Sequence, residues 1–341
     1  MPVYEDRSNL MHVIDEDGAR QPVRTVDDWR VRRSHILENM QRVMGPHPER
    51  DPDLPLEVEV TAEERGDGWL RRTITFMAER GDRVPAHLLI PDEPTGAGAL
   101  CLHQTTEIGK DEPAGLGGKP NLQYARELAE RGFVALAPDY PGYGDYHVDP
   151  YRMGYASATM KGIVNHERCV DLLASLDEVD AGRIGCVGHS LGGHNALFVA
   201  AFDDRIRAIV SSCGFGSFHR YDGGYLKGWS HDGYMPRIAT EYHRDPEQMP
   251  FDFTEALGAM APRHVFINAP VADSFTLEAV TDCLEAARPV YALHDATDRL
   301  VAAHPDCGHD FPGNIREEAY VFLADAFGSG EWRLHGEALT R

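Results

Sequence analysis

Residues 188–192, Gly-His-Ser-Leu-Gly, constrain the fold of this chain more than any other stretch because they fit the pattern Gly-x-Ser-x-Gly. A short apolar segment, residues 183–187, precedes them, and the residues that follow have the composition of a helix. A strand, a sharp turn and a helix are the context in which a serine becomes an exposed nucleophile. We therefore predict that Ser190 lies on a strained turn. Gly188 and Gly192 are expected where a Cβ would clash with neighbouring backbone.

The segments around this turn alternate between strands and helices. Three earlier segments, around residues 56–60, 74–76 and 84–90, have the patterns of edge strands. Apolar strands are predicted at 98–103, 132–137, 183–188, 206–213, 263–269 and 299–304, and helices at 120–131, 160–176, 191–202 and 276–287. Such alternation implies right-handed crossovers and a mostly parallel central sheet flanked by helices. The predicted fold class is therefore α/β.

Three regions are predicted along the chain. Residues 1–54 form an N-terminal helical extension, in which residues 1–24 are irregular and a helix begins after Thr25, with Asp28 as the second member of a capping box. Residues 55–330 form the main domain. Within it, residues 214–262 interrupt the alternation with many Gly, Tyr, Trp and His residues, which indicates a cap or lid insertion. Residues 331–341 form a C-terminal tail.

Composition limits the partners of the chain. Its 341 residues carry a net charge of −22, which argues against binding to nucleic acid or to anionic membranes. The chain has no apolar run long enough to span a membrane, and its charged N-terminus lacks the apolar core of a signal peptide. Six cysteines without paired spacing indicate core thiols in a reducing compartment. We expect a cytoplasmic protein that acts on a small molecule, with a homodimer as the default assembly.

A serine nucleophile needs a base, and His309 is the predicted one. It lies in a loop, residues 304–312, between the last predicted strand and a C-terminal helix. Loops at the carboxyl ends of parallel strands converge on one edge of the sheet. An alternative is that His304, Cys307 and His309, with Asp310, hold a metal, although their spacing is not a standard zinc pattern.

The base needs an acid that orients it, and Asp273 is the predicted residue. It follows the strand at 263–269 and precedes a helix, in the chain order Ser, Asp, His that this architecture uses. Glu278 and Asp298 are alternatives, as is Asp222 if the acid follows the preceding strand.

Two backbone amides are expected to stabilise the oxyanion of the reaction. One belongs to Leu191, directly after the nucleophile, and the other to Thr105 in the loop after the strand at 98–103, with Gln104 as the second choice. Side chains near these positions are predicted to contact the substrate: His103, Gln104, His189, Tyr140 and Trp229.

These residues resemble the α/β-hydrolase superfamily over residues 55–327. Segments 81–86, 132–144 and 307–312 are most similar to the dienelactone-hydrolase-like and acetyl-xylan-esterase-like serine hydrolases. The resemblance implies hydrolysis of a carboxylic ester through an acyl-enzyme, without a cofactor or metal. Two positions depart from the family: dienelactone hydrolases proper have cysteine at the place of Ser190, and many relatives have His-Gly where this chain has His103-Gln104.

The sequence therefore predicts a serine carboxylic ester hydrolase, with two alternatives. A peptidase or amidase of the prolyl-oligopeptidase type has the same order of catalytic residues, but residues 1–55 are too short for the propeller such enzymes carry. A non-catalytic binding protein of the same fold is the other alternative, and the complete set of candidate catalytic residues argues against it.

Overall fold

The computed structural model describes residues 2–51 and 53–328, together with 333–334 and 337–338. It contains two compact units. The first unit comprises Met1–Pro48, Asp149–Lys161 and Phe215–His309, and the second comprises Glu49–Val148, Gly162–Gly214 and Asp310–Arg341. The predicted division into 1–54, 55–330 and a tail stays a prediction. Most of that tail, 331–341, lies outside the described residues.

The second unit is built on a twisted mixed sheet. Its strands are β3 (Glu59–Arg65), β4 (Trp69–Glu79), β5 (Asp82–Pro91), β6 (Gly96–Leu102), β7 (Val134–Pro138), β8 (Val179–His189) and β9 (Ile206–Ser212). They lie in the order β9-β8-β6-β7-β5-β4-β3. Strands β6 to β9 run parallel, and β3, β4 and β5 form the predicted antiparallel edge. Parallel strands need crossover connections, and helices supply them.

The helices of this unit lie in the predicted segments, although the α-helix within the predicted segment 120–131 has only six residues. They are α2 (Tyr124–Ala129), α4 (Leu191–Phe202) and α8 (Gly313–Ala326), while α3 (Ala158–Ala174) begins in the first unit and ends in the second. Eleven of the twelve residues of α4 are buried, as an apolar helix without a polar face requires. Short 3₁₀ helices span Gly109–Asp111 and Pro120–Leu122, and β12 (Arg333–Leu334) pairs with β13 (Glu337–Ala338).

The first unit begins with a feature that the sequence did not predict. Residues 1–24 were expected to be irregular, but β1 (His12–Ile14) and β2 (Arg20–Pro22) form an antiparallel hairpin. Each of these strands has only three residues, which are too few to show an alternating pattern. The following helix, α1 (Val26–Met44), confirms the predicted capping box: the Thr25 side chain accepts from the Asp28 amide, and the Asp28 carboxylate accepts from the Thr25 amide.

The rest of the first unit consists of helices and a parallel strand pair. Strands β10 (His264–Asn268) and β11 (Leu300–Ala303) pair in parallel, and α7 (Leu277–Leu293) connects them. The predicted lid segment contains α5 (Arg237–Thr240), α6 (Phe253–Gly258) and two 3₁₀ helices, Tyr221–Gly224 and Leu226–Trp229, and a further 3₁₀ helix spans Thr297–Arg299. These short elements are held by buried aromatic packing, with Phe218, Trp229 and Phe253 in mutual ring contact.

The predicted fold class is confirmed by this architecture. A mostly parallel sheet with flanking helices has the strand and helix order that the alternation of segments predicts. None of the helices among the described residues combines the length and the apolar character that a membrane crossing requires.

Candidate active site

Ser190 occupies the sharp turn between β8 and α4. Its backbone angles are φ 54° and ψ −114°, in a region that residues with a side chain rarely adopt. The amide of Ser190 donates to the carbonyl of Ser212 at the end of β9 over 2.8 Å. Backbone strain of this kind persists where surrounding structure imposes it, and it is concentrated at functional sites.

The two glycines of the motif have the packing role that was predicted for them. A Cβ on Gly188 would collide with the backbone of Gly192, and a Cβ on Gly192 would collide with the carbonyl of Leu102. The turn is therefore compressed against the end of β6, so that residues with a side chain do not fit at either position.

The compressed turn brings together the two segments that carry the predicted oxyanion donors. Leu191 is the first residue of α4, so its amide has no acceptor within the helix. Gly192 lies against the Leu102 carbonyl, and the exposed Thr105 follows three residues after Leu102. Both predicted donors thus lie on segments that meet within the second unit, and their role in the reaction stays a prediction.

His103 connects two loops at this end of the sheet. Its Nδ1 lies 2.6 Å from the carbonyl of Gln104, and its Nε2 accepts from the amide of Tyr140 over 3.0 Å. Since Nε2 is an acceptor, the ring proton is on Nδ1. Burial lowers the pKa of His103 to about 4, which keeps the imidazole neutral near pH 7.

The other residues predicted to contact substrate in this unit are also engaged with the protein. The Gln104 amide donates to Glu112 over 3.0 Å, and His189 Nδ1 lies 2.8 Å from Ser212 Oγ. Tyr140 and His189 are almost fully buried. Contact of His103, Gln104, His189 and Tyr140 with substrate stays a prediction.

In the first unit, the structure pairs the predicted base and acid. Nδ1 of His309 lies 2.7 Å from Oδ1 of Asp273, whose side chain is 1% exposed. The loops that carry them are held together, because the Ala272 amide donates to the Cys307 carbonyl over 3.1 Å. A carboxylate that accepts the Nδ1 proton leaves Nε2 of His309 available as a base.

The alternatives to this pair have other positions. The carboxylates of Asp222, Glu278 and Asp298 are exposed. Among the residues of the alternative metal site, His304 is engaged with the backbone: its Nδ1 atom lies 2.9 Å from the carbonyl oxygen of Ala269. No cluster of three possible metal ligands found among the described residues includes His304, Cys307 or Asp310.

Aromatic side chains lie next to His309 in the first unit. Phe275 is half-buried, and its ring centroid is 6.4 Å from that of His309. Tyr221, also half-buried, contacts Phe275, whereas Trp229, the predicted substrate residue, is 2% exposed beneath both rings. Phe275 was not predicted as a site residue from the sequence, although it follows Asp273 by only two residues.

Comparisons with known proteins show similarity to an esterase family and to a hydrolase. The model of the family described as glucuronyl esterase, fungi, matches residues 151–294, which include Ser190 and Asp273. The putative hydrolase YtaP of Bacillus subtilis (strain 168) is 25% identical over 314 residues, covering 85% of this chain and 98% of its own length.

Solved structures extend the likeness to almost the whole chain. A glucuronoyl esterase from Solibacter usitatus matches with a TM-score of 0.73 and 20% identity, over 96% of this chain and 99% of that one. The chain therefore has the α/β-hydrolase fold. A putative acetyl xylan esterase from Bacteroides fragilis NCTC 9343 is also similar in structure, with a TM-score of 0.64 and 16% identity over 88% of this chain and 86% of that one.

The α/β-hydrolase fold predicted from the sequence is thus confirmed, together with the likeness to acetyl-xylan-esterase-like structures. The matched family also agrees with the predicted class of reaction, hydrolysis of a carboxylic ester. The likeness to dienelactone hydrolases stays a prediction.

Proposed function

We propose that this chain is a serine hydrolase that cleaves carboxylic esters through an acyl-enzyme intermediate. The observation that carries the proposal is Ser190, held at φ 54° between a parallel strand and a helix. That geometry is the nucleophile elbow of α/β-hydrolases. The His309–Asp273 hydrogen bond, in the other unit, supplies the base and its orienting acid.

The steps follow from these groups. Oγ of Ser190 attacks the ester carbonyl while Nε2 of His309 takes its proton, and the carboxylate of Asp273 stabilises the imidazolium. The amides of Leu191 and Thr105 donate to the oxyanion. His309 then protonates the departing alcohol. Water that loses a proton to His309 then attacks the acyl carbonyl, the bond to Oγ of Ser190 breaks, and His309 returns the proton to Oγ as the acid leaves.

Chain connectivity supports the proposal that His309 acts as the base for Ser190. Asp310, the residue bonded to His309, lies in the second unit, where its carbonyl accepts from the Cys213 thiol over 3.4 Å. Cys213 follows Ser212, and the Ser212 carbonyl accepts from the amide of Ser190. The residue that follows His309 is therefore held beside the segment to which the backbone of the nucleophile is hydrogen-bonded.

We further propose that one side of the scissile ester is a carbohydrate. The matched family and the similar structures are named for glucuronoyl esters and for acetylated xylan, in which the sugar is the acid and the alcohol, respectively. The half-buried rings of Phe275 and Tyr221 beside His309 suit stacking on a sugar ring.

The experiment compares wild type, Ser190→Ala and the exposed Ser34→Ala on p-nitrophenyl acetate, methyl glucuronate and acetylated xylose. We expect hydrolysis of at least one sugar ester, lost by roughly 10⁴-fold or more in Ser190→Ala and retained in Ser34→Ala. A folded wild type that hydrolyses no ester would refute the ester hydrolase. Activity on p-nitrophenyl acetate but on neither sugar ester would refute the proposal that one side of the scissile ester is a carbohydrate.

The reaction is proposed to take place in the cytoplasm. None of the six cysteines, all of which lie among the described residues, forms a disulfide, and burial raises the pKa of Cys101 and Cys186 well above the usual range. Thiols of this kind suit a reducing compartment. Fractionation of the native host would contradict the proposal if the activity were found outside the cytoplasmic fraction.

A further inference from the structure

The two residues that follow His309 are held by a polar network of the second unit. The carboxylate of Asp310 accepts from the side-chain amide of Asn121 over 2.6 Å, and its carbonyl accepts from the Cys213 thiol. The carbonyl of Phe311 accepts from the guanidinium of Arg316 over 2.5 Å. Hydrogen bonds to their oxygen atoms therefore hold both Asp310 and Phe311 in place.

The guanidinium at the centre of the network is itself fixed. Arg316, on α8, is 8% exposed and binds the Glu127 carboxylate with two parallel hydrogen bonds of 2.8 Å. Tyr320 donates a further hydrogen bond to Glu127 over 2.7 Å. A bidentate arginine–carboxylate pair has one planar geometry, so Arg316 is a rigid support.

Asn121 bridges this support to Asp310. Its Nδ2 donates to the Asp310 carboxylate, and its Oδ1 accepts from Nη1 of Arg316 over 3.1 Å. An amide has one donor end and one acceptor end, so the carboxylate on one side and the guanidinium on the other fix its orientation. In the reversed orientation the amide nitrogen would face the guanidinium and the amide oxygen would face the carboxylate, so neither hydrogen bond would form.

We propose that Asn121 is a positioning residue for His309: it holds Asp310, and so fixes the backbone from which the catalytic imidazole projects. The inference rests on the proposed function, in which His309 is the base. A base must stand within hydrogen-bond distance of the proton that it takes, and a displacement of about 1 Å can cost about 100-fold in rate.

The test uses Asn121→Ala, Asn121→Asp and the swapped double variant Asn121→Asp/Asp310→Asn. Asn121→Asp places two carboxylates in contact, and we expect kcat to fall about 100-fold with KM nearly unchanged. The swap restores one donor and one acceptor between positions 121 and 310, so kcat should return to within about 10-fold of wild type. Asn314→Asp, the same change at an exposed position of α8, should keep wild-type kcat.

Two further measurements separate positioning from general stability. Urea unfolding reports whether each variant is folded, and the rate of labelling of Ser190 by a fluorophosphonate should fall in parallel with kcat. Should Asn121→Asp fail to fold, Asn121→Ala serves, with an expected loss of about 10-fold in kcat.

Wild-type kcat in folded Asn121→Ala would overturn the inference, as would a swapped variant that folds but recovers no activity. The proposed function has its own, different failure: wild type without any Ser190-dependent hydrolysis. A result with active wild type and unaffected Asn121 variants would remove the positioning role and leave the ester hydrolase intact.

Discussion

Oδ1 of Asp273 lies 2.7 Å from Nδ1 of His309, and this carboxylate is almost completely withdrawn from solvent. The contact selects the imidazole tautomer that carries its proton on Nδ1 and leaves Nε2 as a base. An amide in place of the carboxylate could donate its own proton to Nδ1 and so select the opposite tautomer.

Asp273→Asn is therefore expected to lower kcat by about 10³- to 10⁴-fold while the protein stays folded. The measurement is steady-state hydrolysis of the best ester substrate, with circular dichroism as the check of folding. Asp222→Asn is the matched control, since Asp222 is exposed and should be replaceable without loss. Equal activity of the two variants would show that Asp273 does not orient the base.

A methyl group on Gly192 should disrupt the nucleophile turn. Its Cβ would overlap the carbonyl of Leu102, and backbone on both sides of the contact leaves no flexible side chain to move away. We expect Gly192→Ala to lower the free energy of unfolding by about 3 kcal/mol and to abolish esterase activity.

Gly313→Ala is the control for this change, because the atom nearest to a Cβ there is the end of the Arg316 side chain at 3.8 Å. Urea unfolding should give nearly wild-type stability for Gly313→Ala. Full activity and stability of Gly192→Ala would contradict the compressed turn.

The N-terminal helix should be essential to the first unit because of one buried ion pair. Arg32 of α1 and Glu255 of α6 bind each other with both side chains fully buried, and the Arg32 guanidinium also lies over the ring of Tyr4. Arg32→Met leaves a buried carboxylate without its partner, and the expected loss is about 3–5 kcal/mol of unfolding free energy.

The double variant Arg32→Met/Glu255→Met removes both charges and should be clearly more stable than Arg32→Met alone. Chemical denaturation of the three proteins measures this difference. If Arg32→Met unfolds at the wild-type urea concentration, the ion pair does not hold the helix to the unit.

His166 should make the protein less stable in weak acid. It is 1% exposed, and burial together with the nearby His103 lowers its pKa to about 3. As pH falls through the usual histidine pKa of about 6.5, the unfolded chain takes up a proton that the folded protein refuses until about pH 3. The free energy of unfolding therefore falls with falling pH across this window.

His166→Leu should reduce the slope of unfolding free energy against pH by up to about 1.4 kcal/mol per pH unit between pH 6 and 4. Urea unfolding at several pH values measures the slope. His147→Leu, at an exposed histidine, should keep the wild-type slope. Parallel curves for wild type and His166→Leu would contradict the buried neutral imidazole.

Local patterns were sufficient to predict most of the fold. The predicted helix at 191–202 has the observed bounds of α4, and the capping box predicted the start of α1, because both depend on residues close in sequence. The hairpin of β1 and β2 was missed because strands of three residues are too short to carry a periodic signal.

The surroundings of the candidate site were harder to predict because they depend on contacts distant in sequence. Trp229 was selected for its residue type, yet tertiary packing buries it beneath Tyr221 and Phe275. The contact between Asn121 and Asp310 joins positions 189 residues apart, and no motif marks such a pair. The type of a residue identifies it as a candidate for the site, but the exposure and orientation of its side chain depend on tertiary packing.

Mass spectrometry after reaction with a fluorophosphonate, in wild type, Ser190→Ala and His309→Ala, identifies the nucleophile. We expect one phosphonyl group on the peptide that contains Ser190 in wild type, none in Ser190→Ala, and much slower labelling in His309→Ala. A folded wild type that stays unlabelled, or that is labelled at another serine, would contradict the assignment of Ser190 as the nucleophile.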